Sequence, residues 1–71
     1  MYTELTAEQF VDYMAILKGL DDSRKRSQRV NEVLEMVSLR EVAKRKIKGF
    51  SGGMKRRVGI AQALVLSLIH I

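Results

Sequence analysis

At 71 residues the chain makes at most one small domain, which buries only about 60% of the surface its unfolded form exposes. It has no Cys, one His and no Pro, which rules out disulfides and thiolate metal sites, speaks against a structural metal site, and removes the strongest helix breaker. The net charge of +5 is uneven: residues 1–41 hold six Lys/Arg and eight Asp/Glu, a net of −2, whereas residues 42–71 hold seven Lys/Arg and no acid, a net of +7. A basic half of this kind suits nucleotide phosphate, nucleic acid or an acidic protein surface, and charge alone does not choose among them.

Met1 is followed by Tyr2-Thr3-Glu4, not by a basic and then apolar leader. The longest apolar stretch, residues 60–71, is interrupted by Gln62, Ser67 and His70. As a helix it would span about 18 Å, against about 30 Å for a bilayer core. The chain therefore reads as soluble or as part of a soluble domain.

Residues 2–5 are expected as a short extended lead-in. Thr6-Ala7-Glu8-Gln9 fits a capping box, with Thr6 as N-cap, and Leu5 is placed to staple onto Phe10. Phe10, Tyr13, Met14 and Leu17 then recur at helical spacing, which predicts a helix over 7–18 with Gly19 as its cap. Asp21, Asp22 and Ser23 offer the next N-cap. Val30, Val33, Leu34 and Val37 give the apolar face of a helix over 23–37. Its first two turns carry Arg24, Lys25, Arg26 and Arg29, expected to be solvated.

Ser38 is expected to cap a short third helix through residues 39–43. Residues 44–48 form a basic, non-periodic connector in which only Lys46-Ile47-Lys48 alternates. Gly49-Phe50 leads to Ser51 as the N-cap of a fourth helix, from Gly52 to at least Leu66. The fold class is thus all-α, with about four short helices. Beyond Val58 the fourth helix is nearly apolar all round, a pattern that asks for burial on every side. Three short helices cannot supply that, so the chain reads as missing a partner or a remaining part.

Ser51-Gly52-Gly53 is where the chemistry concentrates. A Ser N-cap followed by two Gly leaves the N–H groups of the first turn without side-chain cover. Such a helix start attracts anions, phosphate especially. Two Gly cost up to about 1 kcal/mol each in a helix interior. Lys55, Arg56 and Arg57 then oppose the helix dipole by roughly 0.3–1 kcal/mol each. Either Ser51 merely caps the helix, or an anion or acidic surface docks there. The pattern is not a P-loop: counted from Gly49, Met54 stands where the second Gly belongs and Arg56 where Ser/Thr belongs.

The run Phe50-Ser51-Gly52-Gly53-Met54-Lys55-Arg56-Arg57-Val58-Gly59-Ile60-Ala61-Gln62-Ala63-Leu64 resembles the signature motif and following helix of ATP-binding cassette (ABC) ATPases. Tyr2-Thr3-Glu4-Leu5-Thr6-Ala7 resembles the segment just after the family's Q-loop. Val33-Leu34-Glu35-Met36-Val37-Ser38-Leu39 resembles the helix and turn before the signature. The likeness covers residues 2–65, and Phe at the first and Met at the fifth motif position most resemble bacterial exporters of drugs, antibiotics or polysaccharides. It implies that residues 1–66 are a partial helical subdomain of a P-loop α/β ATPase, with the signature at 50–54. Residues 67–71 depart from the family and read as an aberrant tail, left by a truncation, a frame change or a cloning scar.

The resemblance also implies a role. In the family, two nucleotide-binding domains pair head to tail, and the signature of one covers the γ-phosphate of ATP held by the other. That assigns cofactor binding to Ser51, Gly52 and Gly53, with ATP bound in trans and magnesium held only by parts outside this region. Met54 departs from the usual Gln and cannot donate a hydrogen bond. Residues 55–57 are expected to pair with acids of the parent domain. His70 does not resemble the family's switch histidine. No catalytic or metal-binding residue is assigned, and the chain alone is expected to be inactive. The implied partners are a second nucleotide-binding domain and a transmembrane permease, which places the parent in the cytoplasm against the membrane. The alternatives from charge and apolar pattern are a basic helical nucleic-acid-binding module and a self-associating helical protein.

Overall fold

A computed structural model describes residues 4–69, with side chains to Ser67. The expectations for Tyr2, Thr3, His70 and Ile71 fall outside the described residues. Three α-helices follow one another: α1 (Ala7–Leu17), α2 (Ser23–Met36) and α3 (Gly52–Ile69). Two 3-10 turns, Arg40–Val42 and Ile47–Gly49, lie between α2 and α3. Among the described residues there is no strand, only a single antiparallel bridge between Thr6 and Lys46. The fold is all-α, as its sequence pattern indicated.

Each helix start follows from its cap. Thr6 Oγ1 accepts from the Gln9 N–H at 3.1 Å, and the Thr6 N–H donates to Gln9 Oε1 at 3.0 Å, completing the capping box. Of the three candidates before α2, Asp22 is the cap. Its Oδ1 accepts from the N–H groups of Arg24 and Lys25.

The two helix ends share one device. At α1, the Gly19 N–H donates to Ile16 O and the Leu20 N–H to Ala15 O, with Gly19 at φ 96°. At α2, the Ser38 N–H donates to Glu35 O and the Leu39 N–H to Leu34 O, with Ser38 at φ 60°. Both are Schellman motifs, which need one residue in the left-handed region. Ser38 therefore closes α2 and does not cap a third helix. The 3-10 turn that follows has no side-chain cap. Leu39 explains the arrangement: it is buried beside Leu34, the apolar contact that accompanies this motif.

The core is wholly apolar among the described residues. Phe10, Val11 and Ala15 of α1 meet Val30, Val33 and Leu34 of α2 and Val58, Ala61 and Val65 of α3. Leu5 packs against the same cluster, as its place beside the capping box suggested. Residues between the helices also enter it: Leu39, Ala43, Ile47 and Phe50 are all buried. Arg26 is the exception to the solvated reading of the basic turns. Its Nε donates to Asp12 Oδ1 at 2.7 Å, and its Nη1 donates to the carbonyls of Leu20 and Asp21. This clasp ties α2 to α1 across their turn, whereas Arg24 and Lys25 stay exposed.

A non-Gly residue in the left-handed region costs roughly 1–2 kcal/mol. Ser38→Gly is expected to raise stability by about 0.5–1 kcal/mol, and Gly19→Ala to lower it by about 1 kcal/mol. Urea unfolding of the two variants checks this, and a destabilised Ser38→Gly would contradict the assignment.

Candidate functional site

The start of α3 is built from the connector upward. Ile47 has no exposed surface, and its N–H donates to Leu5 O at 2.9 Å. The Glu8 N–H donates to Ala43 O at 3.0 Å. The connector is thus tied to the start of α1 at both ends. Phe50 is extended and buried, and its N–H donates back to Ile47 O at 2.9 Å. The position of Ser51 is set by these anchors. Residues 44–48 have no helical period, and the alternation at Lys46-Ile47-Lys48 is the one signal in the sequence of the buried anchor.

Ser51 is the N-cap. Its Oγ accepts from the Met54 N–H at 3.1 Å, and its carbonyl accepts from the Lys55 N–H at 2.9 Å. The hydroxyl uses a lone pair inward, so its proton is free to donate outward. Gly52 and Gly53 occupy the next two positions and are exposed. Neither N–H donates to another described residue, as the first turn of a helix dictates. The three residues assigned from sequence are therefore consecutive on one exposed helix end, offering one O–H and two N–H donors.

Nothing among the described residues requires the two glycines. Neither has a positive φ. A Cβ on Gly52 would meet nothing within 4 Å, and one on Gly53 only Ser51 Oγ at 4.0 Å. Their helix-propensity cost has no return in the described fold.

The rotation of α3 is fixed by its buried stripe. Val58, Ala61 and Val65 are buried and Met54 is half-buried, at spacings of four, three and four. Lys55, Arg56 and Arg57 are exposed and form no ion pair with the described residues. Beyond Val58, Gly59, Ile60 and Ala63 are exposed as well, so one side of this apolar helix remains uncovered. The helix continues to Ile69. No helix among the described residues is long and apolar enough to cross a membrane.

Donors alone converge at this end: a hydroxyl, two amides and the positive end of a helix dipole. The arrangement suits an oxyanion such as a terminal phosphate. A nucleotide fits only in part, because these residues supply phosphate donors alone.

The family model for ABC transporters matches residues 1–68. An uncharacterised ABC transporter ATP-binding protein of Bacillus subtilis, YxlF, is 45% identical over 64 residues, which is 90% of this chain and 21% of that protein. The taurine import ATP-binding protein TauB of Sinorhizobium fredii is 45% identical over 64 residues, 90% of this chain and 24% of that protein. The linearmycin resistance ATP-binding protein LnrL of Bacillus subtilis is 45% identical over 65 residues, 92% of this chain and 21% of that protein. The chain thus spans about a fifth to a quarter of the length of these relatives. No solved structure matches.

Ser51→Ala removes the cap and is expected to cost about 1 kcal/mol. Gly53→Ala introduces no clash and improves helix propensity, so it is expected to leave stability unchanged or raise it by up to about 1 kcal/mol. Thermal unfolding of both variants tests this. A clear loss in Gly53→Ala would mean the glycine serves the fold itself.

Proposed function

Because the chain belongs to the ABC transporter family of ATP-binding proteins, we propose that Ser51, Gly52 and Gly53 cover the γ-phosphate of an ATP molecule held by an opposing nucleotide-binding domain. The observation that carries this reading is the pair of consecutive glycines after the Ser51 cap, whose open backbone nothing among the described residues explains. A γ-phosphate brought onto the helix end would take the Ser51 proton and the two free N–H donors. A Cβ at either glycine would stand between phosphate and backbone. ATP would supply the transferable phosphoryl group; this chain would orient it and balance its charge.

Residues 1–66 act on this reading as the helical, signature-bearing subdomain of a longer ATP-binding subunit, and 67–71 as the stretch where the family pattern is lost. That subunit would pair head to tail with a second nucleotide-binding domain. It would couple hydrolysis to transport through a transmembrane permease, on the cytoplasmic side of the membrane. Magnesium and the catalytic groups would come from the remainder of that assembly. Two relatives are named for their roles, taurine import for one and linearmycin resistance for the other; they leave the cargo and direction of transport open here.

The test is made in a complete ATP-binding subunit carrying this segment. Ser51→Ala is expected to lower ATP turnover at least about tenfold, the loss of about 1.4 kcal/mol of transition-state stabilisation. Gly53→Ala should do the same while folding normally. Turnover unchanged in both variants would overturn the proposal. The isolated 71-residue chain is expected to hydrolyse no ATP above background in a magnesium-dependent assay.

A further inference from the structure

We propose that residues 44–48 form a docking surface for an acidic segment of a partner protein. Lys44, Arg45, Lys46 and Lys48 are all exposed and surround one buried residue, Ile47. Their backbone is fixed. Beside the two tethers to α1, the Arg45 N–H donates to Val42 O at 3.0 Å and the Gly49 N–H to Lys46 O at 3.1 Å. Four like charges on so short a piece repel one another, and a rigid backbone keeps them from spreading apart.

The rest of the fold balances them only in part. Lys48 Nζ lies 3.6 Å from Glu4 Oε1. Lys44 lines an open groove of about 450 Å³ with Glu8 and Glu41, without an ion pair among the described residues. Arg45 and Lys46 form no ion pair with any described residue, and no acid follows Glu41 in the sequence. Within this surface the uncompensated charge therefore centres on Arg45 and Lys46, as that of the α3 start does on Lys55, Arg56 and Arg57.

The surroundings favour carboxylates over other anions. Phe50, the aromatic residue nearest this surface in sequence, is buried and is not placed to stack on bases. Ile47, the apolar residue of the connector, is also buried, so nothing anchors the surface in a lipid leaflet. The anion already paired here is a glutamate. A partner segment carrying spaced Asp or Glu would complete the pattern that Glu4 begins, and it would find the cations already ordered.

The experiment uses the full 71-residue chain, isotopically labelled, titrated with a short oligoglutamate peptide. A DNA duplex and phosphatidylserine vesicles are run in parallel at equal charge. The peptide is expected to shift the amide signals of residues 44–48, with affinity that falls as salt rises. Arg45→Glu with Lys46→Glu is expected to weaken it about tenfold, and Arg45→Gln with Lys46→Gln less steeply. Circular dichroism of these surface variants should match the parent. Ser51→Ala should leave peptide binding unchanged, which separates this surface from the phosphate site. The proposal falls if DNA or vesicles bind more tightly than the peptide, if the shifts map elsewhere, or if either double variant binds as the parent does.

Discussion

The structure depends on Ile47 being held in two ways at once. Its side chain fills the core, and its N–H closes onto Leu5 O at 2.9 Å. With the Glu8 N–H bonded to Ala43 O, this makes a short backbone clasp between the start of α1 and the connector. A buried backbone donor left unpaired costs about 1–3 kcal/mol, so the clasp and the core cannot form separately. The clasp decides where the chain turns, and Phe50, three residues on, fixes where Ser51 begins α3. The position of the candidate site is thus set by a residue that carries no site chemistry.

Much of this was legible in the sequence because the signals were local. The capping box at Thr6 and Gln9 needs only four residues, and it is present. The apolar spacing of α1 and α2 placed their ends within a residue of those observed. Gly52 is the first residue of α3, as a Ser N-cap followed by an apolar run implied. What was not legible depended on distance along the chain. Arg26 looked like one more solvated cation until the α1–α2 turn brought Asp12 beside it. Ser38 looked like an N-cap because Ser usually favours that role. It ends α2 instead, in the left-handed region, because burying Leu39 against Leu34 outweighs the strain. The short helix expected after it is only a 3-10 turn.

The candidate site divides in the same way. The cap and its donors follow from three residues and are there to be measured. What those donors face does not follow from them, since no described residue accepts from the Gly52 and Gly53 N–H groups. The glycines are informative for that reason. Gly19 has an internal use, its positive φ, whereas Gly49 and Gly59, like Gly52 and Gly53, have neither a positive φ nor a crowded Cβ position. At Gly52 and Gly53 conformation and crowding are both excluded as causes.

The clasp has a consequence for the order in which the molecule assembles. Its two hydrogen bonds join residues 35 and 42 positions apart, whereas Arg26 and Asp12 are 14 apart. Closing a longer loop loses more chain entropy, so the α1–α2 hairpin is the natural nucleus and the connector closes later. Until it closes, α3 has no fixed launching point from which its apolar stripe at Val58, Ala61 and Val65 can settle onto α1 and α2. Closure of the connector is therefore the step that commits α3 to the face that α1 and α2 present. The rate at which Leu5 finds Ile47 would set how long that stripe stays open to the wrong neighbour.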